Sequence, residues 1–517
     1  MFRRPAEFLE RPELSIIILT VRPIPLIPRR LSLIAAGLLC AVSLSAKPPA
    51  KVPAAMRPRI DPLTASLQNA ATRPPARLPG LSIEVAELDT GKVVFEKNSD
   101  KPQTLASVSK MLSTAAAVHY LGADYKFKTT FWRKGEVKDT VLMGSLLVVG
   151  GGDPNISGRF YNDDFNAVFD KWAEGLKQLG ISRITGDLVL NAGFFDGVGR
   201  HPDWPAGQEN KWYQAPTSAL SYNDNVVYVS IGPGRKIGQP AAITIEPESG
   251  LYRPVSRAHT TGMRGRVSVA VKRDQGSDEI EVVGYVPFRP VNWTTPLTVD
   301  DPPMFFGNTL KRRLQAAGIQ LDGEVVRRDE KADTWTLVAR TESDLVPTIT
   351  VCNKRSQGFY AEQIFKTLAA EKAGQGSWDA ALALQQKFFA ELGLDPSHFH
   401  IRDGSGLSHE NRVPAADVVA FLRAMARQPY GQVWRSTLAT AGEPGSTLQH
   451  RLLEADMQGR LQAKTGSVNN VSTLAGYLVA NSGKTYAFAI LLSGGRVNEY
   501  SGHAYQDRLI RALVKNG

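Results

Sequence analysis

Two short stretches far apart in the chain decide the fold: Ala106-Ser107-Val108-Ser109-Lys110 and Lys464-Thr465-Gly466. Lys110 follows Ser107 by one helical turn, so a helix places the hydroxyl and the amine on the same face. A Lys-Thr-Gly stretch on a strand supplies a cation, a hydroxyl and a piece of backbone without a side chain. Together the two stretches predict an acyl-transfer site in which lysine, not histidine, activates serine.

A third group of residues lies between these stretches and strengthens the interpretation. It comprises Ser356-Gln357-Gly358, inside the segment 353–362, and Asp403-Gly404-Ser405-Gly406. With these motifs the chain resembles the class C low-molecular-mass penicillin-binding proteins, the D-alanyl-D-alanine carboxypeptidase/endopeptidase family, from about Leu81 to the end. Further segments add to the resemblance: 150–154, 215–223 and Ala475-Gly476-Tyr477.

The resemblance implies an α+β fold, with a serine β-lactamase/transpeptidase-like catalytic domain that β-rich domains interrupt. The long segment between Ser107 and Ser356 agrees with this, because it contains many short alternating strands. We expect a signal peptide at 1–46, a flexible leader at 47–79, the first part of the catalytic domain at 80–152, the inserted domains at 153–346 and the second part of the catalytic domain at 347–517.

The N-terminal segment carries an export signal. Arg29-Arg30 precede an apolar run over 31–46 that ends in small residues, which is the pattern of a secretory signal peptide cleaved near Ser45 or Ala46. Residues 1–28 form an unusually long basic region, for which a misplaced upstream start is one explanation. The run is too short for a stable membrane span. We therefore expect a periplasmic protein, with a Pro- and Ala-rich leader after the signal.

Composition and cysteine usage fit that location. The chain has 517 residues, 43% hydrophobic and 21% charged residues, and a net charge of +11 that is spread along the sequence. Spread charge predicts a solvated surface and no nucleic-acid partner. After removal of the signal peptide, with Cys40, only Cys352 remains, so no intramolecular disulfide is expected.

The periodicity of apolar residues predicts the elements around the motifs. A hairpin begins at Leu81, and an alanine-rich helix runs from Ser107 to Leu121 with Gly122 as its stop. Further helices are predicted over 303–317, 359–373, 378–392, 414–428 and 504–514, and strands over 188–190, 267–271, 279–283, 473–479 and 485–492.

The predicted chemistry assigns a role to each motif residue. Ser107 attacks a D-alanyl-D-alanine carbonyl, Lys110 takes its proton, and Ser356 passes the proton to the departing amine. Burial and the nearby cation of Lys464 are expected to lower the pKa of Lys110. The substrate-binding residues are expected to be Lys464 and Thr465, which hold the terminal carboxylate, Gly466, which lets a peptide strand approach, and Ser467, whose N–H completes an oxyanion hole with that of Ser107.

One position departs from the family pattern. The middle motif of the family is Ser-x-Asn, and its asparagine helps to hold the lysine and the substrate peptide, but Gly358 stands at that position here. Gly358→Asn should raise the acylation rate if the amide is simply missing. No change would mean that another group already fills the role.

Several other patterns have ordinary explanations. Asp403-Gly404-Ser405-Gly406 fails the nucleophile-elbow pattern at its first position and predicts a tight loop near the rim of the site. Gly150-Gly151-Gly152-Asp153 predicts a turn that leaves the catalytic domain. His398-Phe399-His400 lacks further ligands at metal spacing, and Cys352 is expected to be a buried apolar side chain. Asn191 stands where some relatives carry an acidic residue.

The sequence thus predicts a serine-type D-Ala-D-Ala carboxypeptidase, with endopeptidase activity as well, that needs no metal or cofactor. Its expected partners are peptidoglycan stem peptides, with β-lactams as covalent inhibitors. One alternative is a catalytically weak relative that binds peptidoglycan, prompted by Gly358. The other is a β-lactamase, against which the large insertion argues.

Overall fold

The structure of the protein is a computed structural model that describes residues 61–73, 80–495 and 497–517. The predicted signal peptide and the first part of the predicted leader lie outside these residues. The α-helices of the described residues are α1 (Pro62–Thr72), α2 (Ser109–Leu121), α3 (Ala167–Gln178), α4 (Pro302–Ala316), α5 (Leu345–Lys354), α6 (Gly358–Ala373), α7 (Trp378–Glu391), α8 (Ala415–Ala426), α9 (Gly431–Ser436) and α10 (Glu499–Asn516).

The strands of the same residues are β1 (Gly80–Glu87), β2 (Val93–Lys97), β3 (Gln103–Thr104), β4 (Lys126–Lys138), β5 (Val141–Val149), β6 (Arg183–Ile184), β7 (Leu188–Asn191), β8 (Val226–Gly232), β9 (Ala242–Glu246), β10 (Arg253–Thr261), β11 (Ser268–Lys272), β12 (Glu279–Pro287), β13 (Trp293–Thr298), β14 (Gln320–Leu321), β15 (Val325–Arg327), β16 (Thr336–Asp344), β17 (Arg412–Val413), β18 (Ala439–Thr440), β19 (Leu461–Val468), β20 (Val471–Val479) and β21 (Thr485–Ser493). The α+β class is confirmed, and the predicted hairpin and most predicted helices lie within two residues of the observed ones.

A six-stranded antiparallel sheet forms the centre of the main domain, in the order β18-β19-β20-β21-β1-β2. Helices cover both of its faces. On β21 the side chains alternate: Ala487 and Ala489 face the cluster formed with α2, α5, α6, α7 and α8, while Phe488 and Ile490 face α1 and α10. Because both faces are buried, β20 and β21 read as nearly continuous apolar runs, with little of the alternation of a half-exposed strand.

Helix α1 corrects the prediction of a flexible leader over 47–79. Asp61 caps its N-terminus by accepting the N–H of Thr64, and Pro62 occupies the first turn, where no N–H is needed. Leu63 and Leu67 are buried against the last helix, α10. The apolar spacing of one helical turn was the signal for this helix, and the Pro- and Ala-rich composition obscured it.

The inserted domains begin earlier than predicted. β4 and β5 were expected in the catalytic domain, since the boundary was set at 152/153. Instead β4 pairs with β16 at the end of the insertion, and β5 pairs with β6 and β7 inside it. Phe131 and Leu146 on these strands pack in the same core as Trp172 of α3. The insert therefore spans 126–344, and the main domain resumes at α5.

The insert is built from three sheets and two helices. Its largest sheet contains β14, β6, β5, β4 and β16, together with β7 and β15. Two three-stranded sheets, β13-β8-β9 and β10-β12-β11, form the rest, and β11 and β12 pair antiparallel. Between β5 and α3, the turn at 150–153 leads back toward α6: a Cβ on Gly152 would lie 2.4 Å from Thr367 Oγ1.

Candidate active site

The first half of the candidate site lies where α2 begins. A 3-10 turn, Ala106–Val108, precedes the helix and carries Ser107, and Lys110 lies in the first turn of α2. Lys110 Nζ is 2.8 Å from Ser107 Oγ, as the one-turn spacing predicts. Lys110 is buried at 3% exposure, whereas Ser107 is partly open to solvent. A substrate can therefore reach the hydroxyl while the amine stays dry.

The backbone before the nucleophile is strained. Ala106 has a φ of +47°, a conformation that costs an L-residue energy and persists only where the surroundings enforce it. Its carbonyl points at Gly406, where an added Cβ would lie 1.8 Å from the Ala106 oxygen. Close packing between the two segments therefore fixes the turn that presents Ser107.

Lys110 has a second partner in the loop 403–406. Its Nζ donates to the carbonyl oxygen of Ser405 at 2.6 Å. Ser405 is 2% exposed, so this loop lies behind Lys110 and not at the rim of the site, where the sequence predicted it. The prediction of a tight loop was right about its shape and wrong about its place.

Two buried carboxylates hold that loop. Glu362 on α6 accepts the N–H groups of Gly404 and Ser405, at 3.0 and 2.8 Å. Asp403 accepts the N–H of Gly406 at 2.7 Å and also the indole N–H of Trp204, which belongs to the insert, at 2.9 Å. Sequence reasoning missed Glu362, because its role depends on a segment forty residues further along the chain.

The second half of the site pairs β19 with the turn between α5 and α6. Lys464 Nζ donates to Ser356 Oγ at 2.8 Å and to its neighbour's carbonyl, that of Thr465, at 2.8 Å. Lys464 is fully buried. Ser356 has a φ of +60°, so the turn between the two helices is also held in a strained conformation.

Burial dominates the electrostatics of the two lysines. It lowers the pKa of Lys110, which the Cys352 thiol and the carboxyl groups of Asp403 and Glu362 raise in part. It also lowers the pKa of Lys464 well below the ordinary value, and the adjacent Lys110 adds to that shift. The sequence predicted that burial and the charge of Lys464 would both lower the pKa of Lys110; burial does so, whereas the repulsion between the two lysines lowers the pKa of Lys464.

The remaining motif residues lie along β19. Thr465 accepts or donates a hydrogen bond with the Thr447 hydroxyl at 2.8 Å, and Ser467 is exposed. Gly466 packs against the nucleophile's backbone, since an added Cβ would lie 3.0 Å from Ser107 N and 2.8 Å from Leu105 O. Beyond Lys464, β19 has β20 on one side, and its short partner β18 has already ended. A peptide can add to the free side as another strand.

Gly358, the departure in the middle motif, begins α6 beside the loop 403–406. A Cβ added there would meet Tyr213 O at 3.4 Å and Ser405 Cβ at 3.7 Å, which are ordinary contact distances. A Cβ therefore fits at Gly358 beside Ser405, the residue whose carbonyl binds Lys110.

The other candidates from the sequence lie apart from this chemistry. His398 forms an ion pair with Asp417. Asn191 bonds the backbone of Glu330 and Gly193 within the insert. Cys352 is a buried free thiol, as predicted, and burial raises its pKa to about 12. In the described part of the chain no group of three or more His, Cys, Asp or Glu side chains could hold a metal, and none of its helices is long and apolar enough to cross a bilayer.

Comparisons with known proteins show which family the chain resembles. The model of the D-Ala-D-Ala carboxypeptidase 3 (S13) family matches residues 63–515. The D-alanyl-D-alanine carboxypeptidase of an Actinomadura species is 30% identical over 469 residues, which are 84% of this chain and 84% of that protein. The D-alanyl-D-alanine carboxypeptidase DacB of Haemophilus influenzae is 22% identical over 426 residues, which are 79% of this chain and 84% of that protein.

A solved structure shows the same fold. The crystal structure of penicillin binding protein 4 (dacB) from Haemophilus influenzae superposes with a TM-score of 0.74 at 20% identity, over 87% of this chain and 99% of that chain. The superposition covers 87% of this chain, so the similarity extends over both the main domain and the insert.

Proposed function

Because the chain belongs to the D-Ala-D-Ala carboxypeptidase 3 (S13) family, we propose that it hydrolyses the terminal D-Ala-D-Ala bond of peptidoglycan stem peptides through an acyl-enzyme at Ser107. The observation that carries the proposal is the distance of 2.8 Å between Ser107 Oγ and the buried amine of Lys110. A serine hydroxyl needs a base within hydrogen-bond reach, and a lysine serves only when its pKa is lowered. Burial supplies that condition here.

The acylation step balances with the groups present. Ser107 Oγ forms a bond to the carbonyl carbon of the penultimate D-Ala while its proton moves to Lys110 Nζ. The C–N bond then breaks, and the proton that Lys110 took passes through the Ser356 hydroxyl to the departing amine of the terminal D-Ala; Ser356 Oγ also lies 2.8 Å from Lys464 Nζ. Water later attacks the ester and gives a proton to Lys110, which returns it to Ser107 Oγ as the shortened peptide leaves with a new carboxyl group.

The substrate would lie along β19. Lys464 and Thr465 bind its terminal carboxylate, and its backbone adds to the free side of the strand at Gly466. The N–H groups of Ser107 and Ser467 would stabilise the oxyanion, each at a cost of about 3 kcal/mol if lost. In a cross-linked peptide the D-Ala carbonyl of the donor strand is bonded to an amine of a second peptide. Because the carbonyl that Ser107 would attack is the same, we extend the proposal to endopeptidase activity. The proposed substrate and the predicted signal peptide both support a periplasmic location, which is part of the proposal.

Labelling with a fluorescent penicillin tests the acyl-enzyme. We expect the purified protein to become labelled on Ser107, and the Ser107→Ala variant to stay unlabelled. Equal labelling of both proteins, or labelling of neither, contradicts the proposal, and the second result would favour a relative that binds peptidoglycan without cleaving it.

A kinetic comparison then separates the activities. Release of D-Ala from a pentapeptide and cleavage of a cross-linked muropeptide measure carboxypeptidase and endopeptidase action. Rapid turnover of a chromogenic cephalosporin, with neither of these, would instead indicate a β-lactamase.

A further inference from the structure

We propose that Glu362 is a positioning residue for Lys110: its carboxylate fixes the loop 403–406 so that the Ser405 carbonyl orients the lysine amine toward Ser107. The inference rests on the proposed function and concerns how the base of that reaction is held. It also accounts for Gly358, since the loop supplies a partner for Lys110 where the middle motif lacks its asparagine.

The orientation of the amine is the first step. A neutral lysine amine has two N–H groups and one lone pair, and it rotates freely about its last bond unless a partner fixes it. The bond of 2.6 Å to the Ser405 carbonyl uses one N–H. With that N–H fixed, the lone pair can face the Ser107 hydroxyl at 2.8 Å. Ser405 lies in another segment, so the orientation depends on where its loop is held.

The second step is the chemistry of the clamp on that loop. Glu362 is fully buried and receives three donors: the N–H of Ser405 on Oε1 at 2.8 Å, and on Oε2 the N–H of Gly404 at 3.0 Å and the indole N–H of Trp378 at 2.8 Å. A carboxylate accepts all of them. A glutamine has the same shape, but its NH₂ group would face either the Ser405 N–H or the N–H groups of Gly404 and Trp378. Two buried donors that face each other leave both without an acceptor, which costs free energy.

The loop has little freedom to shift once the clamp is in place. The carbonyl of Gly404 accepts the Ser113 hydroxyl of α2 at 2.6 Å, which ties the loop to the helix that carries Lys110. Asp403 fixes the following turn through the N–H groups of Gly406 and Ser408, both at 2.7 Å. The Ser405 carbonyl is therefore held from both sides of the loop.

The charges around Lys110 give the role a measurable signature. The titratable groups that face its amine are Cys352 on α5, Glu362 on α6, Asp403 in the loop and Lys464 on β19. Among them Glu362 contributes a negative charge that raises the pKa of Lys110. Burial raises the pKa of Glu362 itself to about 7, and Asp403 adds to the shift. Glu362→Gln removes this negative charge and the titration of the Glu362 carboxyl group itself. The acid limb of the pH–rate profile, where acylation slows as Lys110 takes up a proton, should therefore move to lower pH.

The experiment measures the rate at which a fluorescent penicillin acylates Ser107, as a function of pH, in the wild type, Glu362→Gln and Asp153→Asn. We expect Glu362→Gln to lower the plateau rate at least about tenfold, because a misoriented base loses part of its contribution, and to shift the acid limb to lower pH. Asp153→Asn is the matched control. It also removes a fully buried carboxylate, one that accepts the Asn155 N–H and the Ser343 hydroxyl, and its acid limb should coincide with that of the wild type.

A Glu362→Gln protein with the rate and acid limb of the wild type would overturn the inference while leaving the proposed function intact. A wild type that is never labelled would overturn both. If Glu362→Gln does not fold, Gly358→Asn decides, because the Cβ that it adds lies 3.7 Å from Ser405 Cβ, at ordinary contact distance. We expect Gly358→Asn to keep the acid limb of the wild type. A shifted limb would mean that the new amide has replaced the loop carbonyl as the partner of Lys110, and would overturn the inference.

Discussion

At the scale of single residues, burial lowers the pKa of the two lysines of the candidate site, Lys110 and Lys464. A serine and a lysine one turn apart occur on many helices. Here α5, α6 and the loop 403–406 enclose the amine of Lys110, and this burial lowers its pKa. The motif predicted the distance between the two side chains. It could not predict the contacts of the Ser405 carbonyl or of Glu362, because those contacts join segments far apart in the sequence.

Thr465 is expected to bind the substrate's carboxylate together with Lys464. Thr465→Val keeps the shape of the side chain and removes one hydrogen bond to a charged group, which is worth about 1.5–3 kcal/mol. We therefore predict a fall in kcat/KM of about tenfold or more on a D-Ala-D-Ala peptide. Thr350→Val is the control, since that hydroxyl bonds the Val346 carbonyl within α5. An unchanged kcat/KM in Thr465→Val would exclude the assigned role.

At the scale of elements, the approach of β19 to the turn before α2 builds the site. Gly466 permits it: an added Cβ would lie 2.2 Å from Thr473 Oγ1 and 3.0 Å from Ser107 N. The sequence predicted the strand after Gly466, but it assigned the missing side chain to the approach of a substrate peptide and not to the contact with this turn. It did not predict the Thr473 hydroxyl, which donates to Leu105 O at 2.8 Å and joins β20 to the same turn.

Gly466→Ala should therefore push β19 away from Ser107. We predict a loss of acylation of at least about tenfold, because small displacements of catalytic groups are expensive, while the circular dichroism spectrum stays that of a folded protein. Gly232→Ala, at the end of β8, is a control in which an added Cβ meets nothing within 4 Å. A Gly466→Ala enzyme as reactive as the wild type would contradict the close approach.

At the scale of the whole molecule, the insert and the main domain are joined by buried polar contacts. Asp153 accepts the hydroxyl of Ser343 at 2.7 Å within the insert, and its neighbour Asn155 donates to the Thr348 hydroxyl of α5 in the main domain at 2.7 Å. The sequence correctly predicted that the catalytic domain is interrupted, but it placed the first boundary too late. The sequence of the hairpin β4–β5 does not indicate which domain it belongs to, because β16, the strand that pairs with β4, follows about two hundred residues later.

Asp153 makes the stability of this junction depend on pH. Burial raises its pKa from 3.8 to about 6. Between these values the folded protein keeps a proton that the unfolded chain has lost, so this group lowers the free energy of unfolding as the pH rises through the window. Urea titrations from pH 4 to pH 6 should show a shallower decline in Asp153→Asn than in the wild type. Parallel curves would contradict the raised pKa.

The central claim is that the uncharged amine of Lys110 takes the proton of Ser107, and Lys110→Arg tests it most directly. Arginine stays charged at every accessible pH and cannot act as the base, although it keeps a long cationic side chain. Mass spectrometry of the penicillin adduct on Ser107 should show acylation slowed by about 10²–10⁴-fold, the usual contribution of a general base. Acylation of Lys110→Arg at the rate of the wild type would contradict the account.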